Sequence, residues 1–404
     1  MRSPCRSRRP SSRERGDALA DAVIVDAVRT PIGRAFKGGL AGVRPDDLGA
    51  LVVDALLERN PELPLHAVED LICGCGLPTG EQGHNLARIL VLLSRLPDTV
   101  TATTVNRYCA SSLEAVRMAF HAIRAGEGDA FVVAGVESVS RVVGHSELAT
   151  PESRNPRLDG ADGRPDAYIA MGLTAERVAE RYAIARSEQD EWAARSHERA
   201  VAARDGGFFV SEIVPVPLPD GGVLVRDDGP RADTSLERLA ALEPAFAEDG
   251  TVTAGNACPL NDGAAACLVM AETRARDLGL RPRARIVASA TSGLEPELMG
   301  VAPIGAIRRV LERARMTIDD VGLVELNEAF AAQVIPVARE VGIDPERLNP
   351  HGGAIALGHP FGMTGARIMA TLVNGLEARD EEIGLESMCV AGGQGAAMIV
   401  ERLR

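Results

Sequence analysis

The sequence predicts an α/β fold in which two similar halves pack as a pseudo-twofold pair. Uninterrupted apolar runs, such as Ala22–Ala27, alternate with stretches that carry apolar residues at helical spacing. This alternation indicates mainly parallel sheets with helices on both faces. The same series of elements recurs roughly 250 residues further along the chain. A length of 404 residues also favours two or three domains or subdomains.

Each half is predicted to contain buried strands separated by amphipathic helices. The predicted strands are Ala22–Ala27, Val68–Cys73 and Ala130–Gly135 in the first half and Ala284–Ala288, Val321–Leu326 and Ser387–Gly392 in the second. The apolar faces of the predicted helices span residues 48–56, 113–123, 304–311 and 368–376. The matching order of strands and helices is the observation that predicts the repeat.

The segment between the two halves has a different character. Residues 187–204 are predicted to form a helix that Ser187 caps, with acidic residues in its first turn and clusters of Gly and Pro on either side. A long insertion of this kind is expected to pack over the site as a lid. The predicted domains are an N-terminal half (residues 18–139 and 259–282), an insertion (residues 140–258) and a C-terminal half (residues 283–404).

The first 17 residues differ in composition from the rest of the chain. They hold six arginines and two acidic residues, and Ser and Pro make up most of the remainder. No apolar segment follows them, so a secretory signal is not expected. We interpret them as a disordered extension or an over-long gene start, with an Arg-rich transit peptide as the alternative.

Charge and cysteine usage restrict the partners. The formal net charge of −13 argues against nucleic acid, and an anionic ligand would need a local cationic pocket. No run of about 18 apolar residues is present, so no membrane span is expected. The one-residue spacing of Cys73 and Cys75 fits neither a redox nor a zinc motif. We therefore expect a reducing, cytoplasmic location, no metal, and cysteines that act as thiols.

Cys109 is the first candidate for chemistry. It lies in the sequence Val105-Asn-Arg-Tyr-Cys109-Ala-Ser-Ser, between a predicted strand and a predicted helix. The partial positive charge at a helix N-terminus lowers the pKa of a cysteine and favours the nucleophilic thiolate. A single cysteine of this kind is more often a buried structural residue, so the inference depends on other segments.

Three further segments carry polar residues at equivalent points of the repeat. The glycine-rich stretch His351–Gly362 places His359 before a helix, where it is well placed to act as a base. Asn327-Glu-Ala-Phe330 follows one predicted strand, and Cys389-Val-Ala-Gly-Gly-Gln-Gly395 begins near the end of another. The carboxyl ends of parallel strands are the usual position of active sites. These residues and Cys109 are therefore expected to meet in one site.

From about residue 18 to the end, the sequence resembles the thiolases, a family of CoA-dependent acyltransferases. Besides the segments above, Gly135–Ser138, Met171–Glu176 and Val252–Ala266 resemble family motifs. The resemblance implies a layered αβαβα core with a loop-domain insertion. It also implies an enzyme that makes or breaks the carbon–carbon bond of a 3-ketoacyl-CoA through an acyl-cysteine. CoA and acyl-CoA would be substrates, with no permanently bound cofactor.

The resemblance assigns roles to the candidate residues. Cys109 would be the acylated nucleophile, His359 the base that activates it, and Cys389 the acid/base for the α proton of acetyl-CoA. Asn327 would hold a water that forms one oxyanion hole with His359. The backbone N–H groups of Cys109 and Ala391 would form the second. A Claisen condensation needs these groups, because it requires a nucleophile, a base for the carbanion and donors for two oxyanions.

A further set of residues is similar to those that contact CoA in the family. Arg231 would bind the adenine nucleotide, since an acidic protein needs a local cation for the CoA phosphates. A solvated surface arginine is the alternative. Leu242 and Phe246 would line the same groove. The other CoA contacts that the resemblance implies are Met171, Ala254, Cys258, Ala329 and Phe330.

Three positions depart from the family pattern. Ala391 stands where the family usually has glycine, and Gly362–Gly365 replaces a smaller residue pair. Cys258 stands where short-chain biosynthetic members have a serine that touches pantetheine. None of these changes removes a chemical group from the mechanism, because a backbone N–H survives the change to Ala391 unless the position requires a positive φ.

The sequence says less about the physiological direction of the reaction and about the oligomeric state than about the reaction itself. Ala170 stands where short-chain biosynthetic members typically have histidine, which favours a degradative enzyme over a biosynthetic acetoacetyl-CoA thiolase. A decarboxylating ketoacyl synthase would carry a Cys-His-His catalytic set and lack a second cysteine. Cys389 and the Asn-Glu-Ala-Phe segment therefore argue against this alternative. An inactive acyl-CoA-binding homologue is disfavoured by the intact catalytic set. The assembly is expected to be a homodimer or homotetramer.

Overall fold

The computed structural model describes residues 20–142 and 154–404. The predicted extension at residues 1–17 lies outside these residues. Within them, strands of both halves join in one large sheet, and helices lie on its outer faces and between the halves. No helix in the described part of the chain is long and apolar enough to cross a membrane.

The elements follow in this order. The first half contains β1 (Ala22–Arg29), β2 (Gly33–Arg34), α1 (Pro45–Arg59), β3 (Asp70–Gly74), α2 (Leu86–Leu93), β4 (Thr101–Val105), α3 (Ser111–Ala125), β5 (Ala130–Ser138) and α4 (Val139–Val142). Then come α5 (Met171–Arg181), α6 (Arg186–Asp205), β6 (Val216–Pro217), β7 (Val223–Leu224), α7 (Leu236–Ala240), β8 (Asn261–Ala271) and α8 (Glu272–Asp277). The second half contains β9 (Ala284–Gly293), α9 (Ala302–Ala314), β10 (Leu323–Leu326), α10 (Ala331–Val341), α11 (Ala354–Leu357), α12 (Thr364–Ala378), β11 (Ile383–Val390) and β12 (Gln394–Arg402).

The large sheet is mixed, so the prediction of mainly parallel sheets was wrong. Within the described residues its strand order is β10-β11-β12-β9-β1-β8-β5-β3-β4, with β2 paired to β8. β3 is parallel to β4 and β5, and β10 is parallel to β11. β8 is antiparallel to β1 and β5, and β12 is antiparallel to β9 and β11. A buried antiparallel strand shows the same uninterrupted apolar run as a parallel one, so the sequence pattern does not separate them.

Helices form three layers around this sheet. α3 and α12 pack against each other in a core that residues of both halves share. α1 and α2 cover the outer face of the first half, and α9 and α10 cover that of the second. β1 meets β9 only through the pairs Val23–Arg285 and Ile24–Ala284, which lets the sheet fold around the α3–α12 pair. This arrangement confirms the expected αβαβα layering.

The two halves repeat one topology, as predicted. β1, α1, β3, α3, β5 and β8 correspond in order to β9, α9, β10, α12, β11 and β12. In each half the antiparallel partner of the first strand comes last, since β8 pairs with β1 and β12 pairs with β9. The equivalent helices α3 and α12 therefore meet in the middle layer, where each follows a segment that carries a candidate catalytic residue.

Two predicted boundaries were wrong for local reasons. The strand expected to reach Gly392 ends at Val390, because Gly392 and Gly393 have φ of 79° and 80° and form a turn. α6 begins one residue before the predicted cap Ser187. The N–H of Ala185 donates to the Glu188 carboxylate at 3.0 Å, so Glu188 supplies the side-chain partner at this helix start.

Candidate active site

The ends of neighbouring elements bring the predicted catalytic residues together. Cys109 lies in a single 3₁₀ turn directly before α3. Asn327 directly follows β10, and Cys389 is the penultimate residue of β11. Because β10 and β11 are parallel neighbours, these two residues lie near the same end of adjacent strands. His359 lies in the loop between α11 and α12 and contacts Asn327.

A strained turn presents Cys109. Tyr108 has φ of 44°, a left-handed conformation that is uncommon for a bulky side chain. The turn is held on both sides. Asn106 Oδ1 accepts the N–H of Tyr108 at 2.8 Å, and the Ser111 hydroxyl donates to the Tyr108 carbonyl at 2.6 Å. The turn leaves Cys109 half-buried at the start of α3.

The Cys109 thiol has a different protonation state from the one the sequence suggested. Burial raises its pKa to about 12, although hydrogen bonds from the backbone N–H groups of Cys109 and Ala391 act in the opposite direction. The thiol is therefore neutral rather than the thiolate that the sequence suggested, because desolvation of the charged form outweighs the two backbone hydrogen bonds. A neutral thiol needs a base to remove its proton before it can act as a nucleophile.

The turn between β11 and β12 supplies one of those N–H groups. Ala391 begins this turn, and its φ is not positive, so the replacement of glycine leaves the N–H in place. The left-handed positions are the next two, Gly392 and Gly393. A Cβ on Gly393 would lie 2.2 Å from the Leu294 carbonyl oxygen. The backbone therefore favours glycine at the two residues after Ala391, and at the second of them, Gly393, a side chain would also clash.

Hydrogen bonds hold His359 through both ring nitrogens. Its Nδ1 lies 2.7 Å from Thr364 Oγ1, and the Thr364 hydroxyl donates to the Pro360 carbonyl at 2.8 Å. Since the hydroxyl hydrogen is directed to Pro360, Nδ1 carries the ring proton and Nε2 keeps a lone pair. Asn327 Nδ2 lies 3.3 Å from that Nε2. Burial, and then Arg367, lower the pKa of His359 to about 3, so the ring is neutral.

Cys389 lies near two other thiols. It is fully buried, and burial followed by the neighbouring Cys109 and Cys258 raises its pKa well above the usual value. Burial and then Cys109 also raise the pKa of Cys258. The backbone N–H of Cys258 donates to the Ala329 carbonyl at 3.0 Å, which ties it to the segment after Asn327. The site therefore gathers three neutral thiols.

A cavity of about 550 Å³ lies beside Cys258 and contains three predicted CoA residues, Arg231, Leu242 and Ala254. The other lining residues are Arg34, His197, Gly229, Asp233, Thr234, Arg238, Leu239, Gly255, Ala257, Pro259 and Ile355. The three arginines give this cavity the positive charge that phosphates require. A larger cavity of about 780 Å³ lies between the ends of α1 and α12 and contains none of the predicted site residues.

The remaining predicted CoA contacts do not line this cavity, and most of them lie in an apolar cluster that includes one of its lining residues, Ala257. Met171, Ala329 and Phe330 pack in the same apolar cluster as Cys389. Phe246 meets Phe330 edge to face, with ring centroids 6.1 Å apart. The structure thus places Met171, Ala329 and Phe330 beside Cys389, although they come from distant parts of the chain.

Sequence analysis missed several residues of the site. Arg238 follows Arg231 closely in the sequence, which is a usable signal. Arg34 and His197 come from separate segments, and only the fold brings them to the cavity. Thr364 reaches His359 because the loop before α12 turns back on itself. No pattern in the sequence marks these last three positions.

Comparisons with known proteins agree with this geometry. Residues 22–273 match the family described as "Thiolase, N-terminal domain", and residues 280–402 match "Thiolase, C-terminal domain". The beta-ketoadipyl-CoA thiolase of Acinetobacter baylyi is 46% identical over 406 residues, and the 3-ketoacyl-CoA thiolase of Bacillus subtilis is 44% identical over 397 residues. Each alignment covers 95% of this chain and 100% of the relative.

A solved structure agrees as well. The crystal structure of the Bacillus anthracis acetyl-CoA acetyltransferase superposes with a TM-score of 0.87 at 39% sequence identity. The match covers 96% of this chain and 100% of that chain. Since the sequence and structural matches both span nearly the whole chain, this protein belongs to the thiolase family, whose members are CoA-dependent acyltransferases.

Proposed function

We propose that this thiolase cleaves 3-ketoacyl-CoA with CoA to acyl-CoA and acetyl-CoA, and catalyses the reverse condensation, through an acyl group on Cys109. One observation carries the proposal: the thiols of Cys109 and Cys389 are neighbours, and the Nε2 of His359 contacts Asn327, which directly follows the strand beside that of Cys389. One thiol holds the acyl group while the other exchanges the α proton.

In the cleavage direction, the Cys109 sulfur attacks the 3-keto carbon while His359 Nε2 accepts the thiol proton. The pKa of the thiol is raised to about 12 and that of His359 is lowered to about 3. Transfer of the proton alone is therefore unfavourable, so it accompanies formation of the carbon–sulfur bond. The N–H groups of Cys109 and Ala391 donate to the oxygen that becomes negative.

The carbon–carbon bond then breaks and releases the enolate of acetyl-CoA. Protonated His359 keeps its proton and, with a water held by Asn327, donates a hydrogen bond that stabilises the negative enolate oxygen. Cys389 gives its proton to the α carbon, and its raised pKa suits this role because the thiol is fully protonated beforehand. The thiol of a second CoA gives its proton to the Cys389 thiolate and attacks the acyl carbonyl carbon. The bond to the Cys109 sulfur then breaks, and that sulfur takes back the proton held by His359, which restores the resting site.

CoA is proposed to lie in the cavity beside Cys258. Arg34, Arg231 and Arg238 line it and provide positive charge for the phosphates. Ala254, Leu242 and Phe246 provide apolar contacts along the way. Met171, Ala329 and Phe330 would surround the thiol end of the CoA substrate, close to Cys389, where the acyl group is transferred.

A degradative enzyme with longer substrates is the favoured type. Ala170 stands where short-chain biosynthetic members typically carry histidine, and relatives at 44–46% identity are named for 3-ketoacyl-CoA and beta-ketoadipyl-CoA. The alternative is a biosynthetic acetoacetyl-CoA thiolase. The structural match to an acetyl-CoA acetyltransferase supports this alternative.

Steady-state thiolysis of a panel of substrates tests this proposal. The panel contains acetoacetyl-CoA, longer straight-chain 3-ketoacyl-CoAs, one with a terminal carboxylate and one with a ring. We expect a higher kcat/KM for at least one longer substrate than for acetoacetyl-CoA. A preference for acetoacetyl-CoA would favour the biosynthetic alternative, and no cleavage of any substrate would contradict the proposal.

A homodimer or homotetramer is proposed as the assembly, and the cytoplasm as the location. β4 forms one edge of the sheet, and Leu92 and Leu93 on the adjacent α2 are 56% and 48% exposed. An exposed strand edge beside apolar side chains favours association with another copy. The six described cysteines are unbridged, which fits a reducing compartment. Light scattering after gel filtration measures the assembly, and a monomer would contradict it.

A further inference from the structure

A buried carboxylate with no role in the proposed chemistry lies between the two halves of the site. Glu137 is the penultimate residue of β5, and its side chain is fully buried. Its Oε1 accepts the Gln82 side-chain amide at 2.6 Å and the N–H of Leu77 at 3.3 Å. Its Oε2 accepts the N–H of Gly76 at 2.8 Å and the N–H of Gly362 at 2.9 Å.

The donors to Glu137 belong to different halves of the molecule. Gly76 follows β3 in the first half, whereas Gly362 is three residues beyond His359 in the second. The His359 loop presses closely on the first half here, since a Cβ on Gly362 would lie 2.3 Å from the Val136 carbonyl oxygen. Glu137 therefore binds the His359 loop to the first half through a charge-assisted hydrogen bond.

Cys109, the proposed nucleophile, belongs to the first half and lies close to β3. β3 packs directly on the start of α3, where a Cβ on Gly74 would lie 2.2 Å from the backbone nitrogen of Ser112. Ser112 is three residues beyond Cys109, and its hydroxyl accepts the N–H of Ala366 on α12 at 2.9 Å. A continuous set of close contacts thus runs from Cys109 through β3 and Glu137 to His359.

The hydrogen bonds around Glu137 require its ionised form. All four partners are donors, so a protonated carboxyl would point its O–H at an N–H and leave a buried donor unpaired. Burial nevertheless raises the pKa of Glu137 to about 7. The ionised carboxylate is therefore the form that accepts all four hydrogen bonds, and Glu137 gains a proton near neutral pH.

Other titratable groups face Glu137 from the surrounding elements. They are Cys73 and Cys75 at the end of β3, Cys109 before α3, and Asp262 on β8, which accepts the hydroxyl of Ser138 at 3.2 Å. Burial raises the pKa of each of the three thiols, so they stay protonated near neutral pH. Burial also raises the pKa of Asp262.

We propose that Glu137 is a positioning residue for acyl transfer, whose carboxylate holds the His359 loop against the first half so that His359 meets the Cys109 thiol. This inference rests on the proposed role of Cys109 as nucleophile. It has a consequence for pH. Acylation decreases as the pH falls through about 7, because protonation of Glu137 removes acceptors from Gly76 and Gly362. The pKa values of His359, about 3, and Cys109, about 12, lie far from this range.

Single-turnover acylation by acetyl-CoA, measured from about pH 5.5 to 9, tests the inference through Glu137→Gln. The amide keeps the size of the side chain but offers one acceptor oxygen instead of two. We expect the acylation rate at high pH to fall roughly tenfold to a hundredfold, as for a buried donor left unpaired. The decrease near pH 7 should disappear. KM for CoA should stay unchanged, since neither Glu137 nor any of its hydrogen-bond partners lines the CoA cavity.

Glu386→Gln is the matched control. Glu386 is fully buried on β11, and neither carboxylate oxygen has a hydrogen-bond partner. Burial raises the pKa of Glu386 well above its usual value, although the neighbouring Arg367 acts in the opposite direction, and the amide keeps the size of the side chain. This variant should keep the wild-type acylation rate and pH profile. A loss equal to that of Glu137→Gln would overturn the inference, because any buried glutamate would then have the same effect.

The outcomes separate this inference from the proposed function. If wild-type enzyme is not acylated on Cys109, the proposed function fails. If wild-type is acylated and Glu137→Gln matches it in rate and pH profile, only the role of Glu137 fails. If Glu137→Gln does not fold, Gln82→Met replaces it. Loss of that donor should move the acylation decrease to higher pH, since the Gln82 amide lowers the pKa of Glu137. An unmoved profile would overturn the inference.

Discussion

Cys109 and Cys389 are neutral thiols in the resting site, because burial raises the pKa of each. Each therefore depends on a partner to exchange its proton. In the proposed mechanism the partner of Cys109 is His359, which is neutral and has a lone pair on Nε2. The proposed partner of Cys389 is the α carbon of the substrate. Because the partners differ, replacement of each cysteine should block a different step.

Replacement of Cys389 by alanine should separate these steps. Cys389→Ala retains Cys109 and His359, so acylation by a simple acyl-CoA should persist in a single turnover. Deuterium exchange at the methyl group of acetyl-CoA should fall by roughly a hundredfold to ten-thousandfold, as expected for a lost acid/base. Mass spectrometry of acetyl-CoA after incubation in heavy water measures this step. Cys267→Ala, which removes a buried thiol from β8, is the control, and wild-type exchange in Cys389→Ala would show that another residue is the base.

The tautomer of His359 depends on Thr364. Thr364→Val keeps the shape of the side chain but removes the acceptor for Nδ1–H, so the buried ring loses its fixed tautomer and orientation. We expect acylation to slow roughly tenfold to a hundredfold with KM for CoA unchanged. Thr364→Ser retains the hydroxyl and should stay close to wild type. Equal acylation rates in the valine and serine variants would contradict this role.

Residue types in the site were predictable, whereas their ionisation states were not. Cys109, Asn327, His359 and Cys389 stand out because they follow strands or precede helices, and the structure brings them together. Their catalytic roles stay predictions. The raised pKa of Cys109 could not be inferred, because it depends on how much water the folded chain removes from the thiol. The role of Thr364 depends likewise on the path of a loop.

Among the elements, the turn between β11 and β12 has the most direct link to chemistry. Ala391→Pro removes the N–H that acts on the Cys109 sulfur, so kcat for thiolysis should fall roughly a hundredfold to a thousandfold. Ala391→Gly keeps the N–H and restores the residue usual in the family, so its kcat should stay near wild type. Melting temperatures confirm that both variants fold. An undiminished kcat in the proline variant would remove Ala391 from the oxyanion hole.

Helices and buried strands were predictable as elements, but strand directions were not. The helical period places α3 and α12 within a few residues of their observed bounds, because one face of each must be apolar. β8 and β12 are antiparallel to their neighbours, yet β8 is buried along its length and β12 is buried except at its ends, so their apolar runs resemble those of parallel strands. The direction follows from the connections between strands, which a pattern of apolar residues does not encode. The predicted domain boundaries stay predictions.

The whole molecule builds its site from both halves of the repeat. Cys109 comes from the first half, and Asn327, His359 and Cys389 come from the second. The helices that meet in the middle layer, α3 and α12, follow the segments that carry Cys109 and His359. The duplicated fold thus brings the two equivalent helices into contact. The proposed chemistry requires that the two halves keep this relative position.

The basic N-terminal segment should not contribute to this arrangement. β1 begins at Ala22, so removal of residues 1–17 leaves every described strand intact. We expect the shortened protein to keep the kcat and melting temperature of the full chain. Thiolysis kinetics and thermal unfolding of both forms measure this. A large loss of activity or stability on removal would show that the segment is part of the folded enzyme.

The central claim is that Cys109 carries the acyl group, and one measurement tests it most directly. Wild-type enzyme, Cys109→Ala and Cys389→Ala are mixed with acetyl-CoA, quenched in acid, digested and analysed by mass spectrometry. The mechanism predicts one added acetyl group on the peptide that contains Cys109, in wild type and in Cys389→Ala, and none in Cys109→Ala. An acetyl group on Cys258 or Cys389 of the wild-type enzyme, or no acetylated peptide at all, would contradict it.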